Sequence, residues 1–132
     1  MSVYNWGLDL SAEASVDLDN YQYHFVQWST GTDRTVGTVS GCDSACILGV
    51  LQNDPDAGQE ATVRMLGTTK LTVTGSVDAG ETIHARAGGV GAKQVTATCA
   101  IHAFALEGTG TSSGCTVIEV FLLPPGAAVP AL

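Results

Sequence analysis

The chain has 132 residues, of which 45% are hydrophobic and only 14% charged, and its net charge is −8. Its Lys and Arg residues (Arg34, Arg64, Lys70, Arg86 and Lys93) are too few and too scattered to displace the counterions of a nucleic acid or to hold an anionic membrane surface. The length suits one domain with a single core, and the shortage of charge implies that something else covers part of the surface.

The opening MSVYNWGLDL has no basic region followed by an apolar one, so a soluble product made in the cytoplasm is expected. Residues 1–20 read as an N-terminal arm. Tyr4, Trp6, Leu8 and Leu10 alternate with polar or small residues at the period of a strand, tucked into its own sheet or laid on a neighbour. Asp17, Asp19 and Asn20 punctuate it. Residues 21–28 (YQYHFVQW) predict a strand, residues 29–33 a turn, and residues 34–39 a second short strand.

Residues 45–52 (ACILGVLQ) form an apolar run too short for a typical helix, and a buried strand is expected there. The turn residues Asn53, Asp54, Pro55, Asp56 and Gly58 follow. Residues 61–66 and 70–74 alternate as two strands broken at Gly67, and residues 77–80 (VDAG) make a turn. Residues 82–87 read as a weaker strand and residues 88–92 (GGVGA) as a flexible tip. That tip is no phosphate cradle, because the β-branched, alternating residues 94–98 follow it instead of a helix. Residues 99–106 and 116–123 read as further apolar strands, the last one buried and stopped by Pro124 and Pro125. Residues 124–132 are an uncharged C-terminal tail. The expected class is all-β, with a β-domain at residues 21–123 between the arm and the tail.

A buried strand, a glycine-containing loop and an alternating strand occur twice, displaced by 55 residues. Leu51, Val63 and Met65 correspond to Leu106, Ile118 and Val120, which suggests two similar hairpins. Cys42, Cys46, Cys99 and Cys115 read by default as buried reduced thiols, with disulfides formed late or zinc as the alternatives. Only Cys42 and Cys46 are close, and their spacing departs from the usual zinc knuckle. His24, His84 and His102 each lie within a strand and read as packing residues. Cys99 and His102, three apart, would point to opposite faces of a strand. The pairs Asp17/Asp19 and Asp54/Asp56 read as turn formers, not as a catalytic or calcium-binding set. No catalytic, metal or cofactor site is expected. Trp6 and Trp28 are the candidate anchors, with core packing the competing reading for Trp28.

An ordered set of segments carries a family resemblance: residues 49–55 (GVLQNDP), Ala57–Gly58, residues 61–64 (ATVR), Gly67 with Thr69–Lys70, residues 77–81 (VDAGE) and residues 117–122 (VIEVFL). Over residues 45–123 the chain resembles the capsid cement, or decoration, proteins of tailed phages; its aromatic N-terminal 40 residues and its tail depart from them. The resemblance implies a small β-barrel or β-tulip-like body, often oligomeric (a homotrimer is expected), on the outer capsid surface of the virion. The implied partner is the major capsid protein, which it would stabilise without catalysis. Contacts with the capsid or between subunits are expected at Tyr4, Trp6, Leu8 and Trp28. The alternative is a tail, fibre or carbohydrate-binding β-module of a virion.

Overall fold

The computed structural model describes residues 7–29, 31–41, 47–94, 101–110 and 114–123. They form nine strands: β1 (Gly7–Ala14), β2 (Phe25–Trp28), β3 (Thr35–Thr38), β4 (Ile47–Leu51), β5 (Glu60–Thr74), β6 (Thr82–Ala85), β7 (Gly91–Lys93), β8 (Ala103–Ala105) and β9 (Cys115–Leu122). The all-β expectation holds, as a single nine-stranded sheet domain.

The two strands expected on either side of Gly67 are one, β5. Gly67, at φ 103°, is where this strand changes neighbours rather than where it ends. It pairs with Gly7 of β1 and also with Leu122 of β9. The residues before it pair with β1 and β4, and those after it with β9 and β7.

These pairings close two circuits that share β5. The first runs β1-β3-β2-β4-β5 and returns to β1; the second runs β5-β7-β6-β8-β9 and returns to β5. Adding four to each strand number of the first circuit yields the second, and the sense of each pairing is kept. The pairs β1–β3 and β5–β7 are parallel, and all the others are antiparallel. The 55-residue echo in the sequence is therefore the trace of a whole repeated unit, in which β5 is the last strand of one copy and the first of the next. Closing a sheet on itself removes the unpaired edges that would otherwise template aggregation.

Each circuit encloses its own apolar cluster, so a chain whose length suggested one core has two. Ala12, Ala14, Val26, Val36, Leu48, Leu51, Ala61 and Val63 fill the first, with Leu18. Leu71, Val73, Ile83, Ala85, Ala103, Ala105, Ile118, Val120 and Leu122 fill the second, joined by Phe25, Ile47 and Val50. One strand can serve both because β-bulges invert its alternation. Leu8 and Asp9 of β1 face Leu66 and Arg64, skipping Met65, so Val63 and Leu71 turn to opposite sides although both are odd-numbered. In β4 the slip against β2 lies at Leu48, and Ile47 and Val50 face one core while Leu48 and Leu51 face the other. This is why every residue of β4 is buried.

Arg64 ties down the bend. Its Nε donates to Asp9 Oδ1 at 2.7 Å, its Nη2 to Asp9 Oδ2 at 3.2 Å, and its Nη1 to the Thr68 carbonyl at 2.9 Å. The guanidinium is largely buried and the carboxylate about one-third exposed. Asp9→Ala is expected to cost about 2 kcal/mol, because it strips a desolvated cation of its carboxylate. Urea unfolding of the variant measures this, and an unchanged midpoint would show that the pair contributes nothing.

Other boundaries differ from the sequence reading. Residues 21–24 lie before β2 and include Tyr23 at φ 64°, so the strand expected from residue 21 begins only at Phe25. Residues 88–92 are no flexible tip. A 3-10 turn at Ala87–Gly89 leads straight into β7, and Gly89 is buried against the Phe25 backbone. Of the two placements open for the N-terminal arm, its described part takes the one within its own sheet, since β1 pairs with β5 along its length.

Candidate docking face

The motif residues behind the family resemblance turn out to be turn and packing chemistry. Asn53 bridges its hairpin, its Nδ2 donating to the Glu60 carbonyl and its Oδ1 accepting from the Thr62 amide. Glu81 closes the residue 77–81 turn by accepting from the Asp78 amide at 2.7 Å, and it pairs with Lys93 at 2.7 Å. The Lys93 hydrogen bond holds the Glu81 carboxyl below its ordinary range.

The histidines are dispersed. His24 Nδ1 lies 3.1 Å from the Gln22 carbonyl and its ring stands edge-on to Tyr21; His84 Nδ1 lies 3.0 Å from the Ala85 carbonyl. His102 packs at a tilt against Phe25, with its Nε2 buried and without a hydrogen-bond partner among the described residues. Burial, and then the neighbouring His84, push its pKa down to about 4.

Tertiary structure brings the two acidic pairs of the sequence together. Carboxylate oxygens of Asp17, Asp19 and Asp56, all exposed, lie within 4.8 Å of one another. Repulsion from Asp17 raises the Asp19 pKa above its ordinary value. Beside β1 an open groove of about 470 Å³ is lined by Ser11, Glu13, Asp33, Arg34, Gln59 and Glu60, and Arg34 Nη2 donates to the Ser11 carbonyl at 3.4 Å.

The most pronounced surface feature is apolar. Five large hydrophobic side chains among the described residues are markedly exposed: Leu8 (52%), Val16 (45%), Leu106 (47%), Val117 (48%) and Phe121 (37%). Four of them, all but Val16, fall on one side of the β1–β5–β9–β8 ribbon. Leu8 sits opposite Leu66, and Phe121 sits between Thr68 of β5 and Phe104 of β8. Val117 is opposite Thr72 on the same face, and Leu106 follows two residues after Phe104. Half-buried Leu66 and Phe104 are the cross-strand partners of Leu8 and Phe121. Lys70 and Glu119 are direct cross-strand neighbours on this face, and the exposed Glu107 borders it, its carboxylate accepting from the Glu119 amide at 2.9 Å. An apolar concentration of this kind on a chain of net charge −8 marks a surface meant to be covered.

Of the residues expected to make contacts, Tyr4 and Trp6 lie outside the described residues. Leu8 is on this face. Trp28, half-buried at the end of β2, packs against the first core, in line with the core-packing reading given to it. Sequence reasoning missed Phe104, Leu106, Val117 and Phe121. It read the last strand as buried, whereas β9 buries only Ile118, Val120 and Leu122. The available signal was the alternation itself, hidden because both faces of residues 116–123 are apolar. Cys115, read by default as buried, is an exposed free thiol at the start of β9; the other three cysteines lie outside the described residues.

No protein-family model matches the chain, and no curated protein matches it. Among solved structures it is similar to the head fiber gp8.5 N base of bacteriophage phi29. The TM-score is 0.64 at 15% identity, covering 89% of this chain and 95% of that one. At that identity the likeness is one of fold.

Proposed function

We propose that this chain is a non-catalytic structural protein of a phage virion that docks on the outer surface of the head and stabilises the lattice of the major capsid protein. The observation that carries the proposal is the near end-to-end fold likeness to a protein named as the base of a phage head fibre. The cement-protein resemblance of residues 45–123 supports the same location independently, because it rests on sequence motifs and not on shape. Physically, two closed circuits sharing one long strand suit a clamp. A load applied across the body is borne by hydrogen-bonded ladders in both halves, and among the described residues every strand has a neighbour on each side. Many weak contacts repeated over a lattice give firm attachment without any single strong site.

The neighbour's name favours a second reading, in which the body is the base of a head fibre and carries another module instead of reinforcing the shell. One experiment separates the two. Purified protein is mixed with heads that lack it, before and after expansion, and both cosedimentation and the temperature of head rupture are measured. A cement protein binds expanded heads and raises their rupture temperature. A fibre base binds and leaves that temperature unchanged. Absence of binding at every stage of maturation overturns both readings.

A further inference from the structure

We propose that the apolar β5–β9 face is covered by another copy of this chain, with β9 of one copy laid on β5 of the next. The inference stands on the face itself and does not depend on the head-surface reading.

Among the described residues β5 and β9 each have strand neighbours on both sides, β8 covering β9 from Val120 to Leu122, so the broad surface these strands offer to another copy is a face and not an edge. The outward residues of the two strands are matched in a particular way. Along β9 they are Cys115, Val117, Glu119 and Phe121; opposite them on β5 stand Thr74, Thr72, Lys70 and Thr68. Apart from the charged pair at the centre, β9 offers apolar side chains, the bulkiest being Phe121, and β5 offers threonines.

A rotation axis parallel to these strands keeps every residue at its own height. Laying β9 of one copy over β5 of the next then seats Phe121 on Thr68 and Val117 on Thr72, bulky on small, as facing sheets require at their spacing of about 10 Å. The same rotation brings Glu119 of one copy over Lys70 of the other. Two copies related in this way complete the arrangement about a two-fold axis, and three complete it around a three-fold with the faces turned inward.

Electrostatics selects this occupant over an unrelated one. Lys70 and Glu119 cancel and leave Glu107, at the β8 border, as the remaining charge, so this face carries little of the net charge of −8 and like-charged copies can approach through it. Among the described residues neither side chain makes an ion pair within its own copy. The Lys70 ammonium lies 5.9 Å from the centre of the Tyr23 ring, a weak contact that a carboxylate from a second copy can join. The acidic cluster of Asp17, Asp19 and Asp56 lies beyond the Glu60 end of β5, away from the face, so its repulsion does not oppose the contact.

Molar mass in solution, from light scattering over a concentration series, tests the proposal. The full chain is expected to be a dimer or trimer. Phe121→Lys, Lys70→Glu and Glu119→Lys are each expected to raise the dissociation constant about tenfold or more, since each buries a charge or opposes two like charges. Far-ultraviolet circular dichroism and a melting curve establish that each variant is folded. The decisive arm is mixing. Lys70→Glu and Glu119→Lys, each weakened alone, are expected to associate with one another, because every β9-on-β5 contact between the two variants again pairs opposite charges. A merely structural role for the couple inside one copy does not produce recovery on mixing. A wild type that is monomeric throughout overturns the proposal, as does an oligomer whose mass is unmoved by all three variants. If the wild type is monomeric and Phe121→Lys abolishes binding to heads, the face belongs to the capsid; this inference then fails while the head-surface reading stands.

Discussion

Gly49→Ala is expected to cost about 3 kcal/mol, a large share of the stability of a domain this size. The reason is a close approach of two backbones. A Cβ on Gly49 would lie 2.1 Å from the Arg64 carbonyl oxygen and 3.2 Å from the Met65 Cα, well inside van der Waals contact. The obstacle is main chain, which cannot swing aside as the end of a side chain can. Relief would require β4 to move off β5 at Val50 and Leu51, where the two strands pair and where the first circuit closes. The displaced stretch also carries the Arg64 contacts at the bend of β5. Gly114→Ala is the matched control, because nothing lies within 4 Å of its Cβ position and its backbone is not in the left-handed region. Denaturant unfolding of both variants settles the point. The expected result is a large fall in midpoint for Gly49→Ala and almost none for Gly114→Ala; equal midpoints would show that the strands part without cost.

The second large effect is acid lability centred on His102. Burial holds its folded-state pKa near 4, against 6.5 for an ordinary histidine, so the native state resists a proton that the unfolded chain accepts. Its contribution to stability is therefore complete above pH 6.5 and is lost as pH falls from there toward 4. A difference of this size corresponds to about 3 kcal/mol at most. His84 adds to the depression by repulsion, and Phe25 supplies the apolar wall. His102→Leu removes the titration and keeps the backbone bonds of residue 102, its amide to the Ile83 carbonyl and its carbonyl to the Leu123 amide. Stability measured between pH 7 and pH 4 should fall more steeply for the wild type than for the variant. Parallel pH profiles would assign the acid sensitivity to other groups. At pH 7 the variant is expected to be close to neutral or slightly stabilising, since it also removes a buried Nε2 that has no partner among the described residues.

The part of the site that could be read from the sequence was limited by the same property that made the fold readable. Strands were recognisable one at a time because alternation and turn residues are local; residues 82–85 and 115–122 lie within or nearly within the segments expected. Gly67 misled, because a glycine with positive φ interrupts most strands, and here the partners on both sides hold the chain extended through it. Val117 and Phe121 were hidden because they look no different in sequence from Ile118 and Val120, which are buried. Trp28, the most conspicuous aromatic among the described residues, drew attention to a residue that packs against the first core.

By itself, then, the order of residues determined the β-class, most of the turns and the twofold echo, since each depends on backbone preferences over fewer than ten neighbours. Two features were left to the tertiary structure: the closure into circuits that share β5, and the choice of which apolar side faces outward. Both depend on register between segments some 50 residues apart, and a bulge of one residue reverses every side chain beyond it.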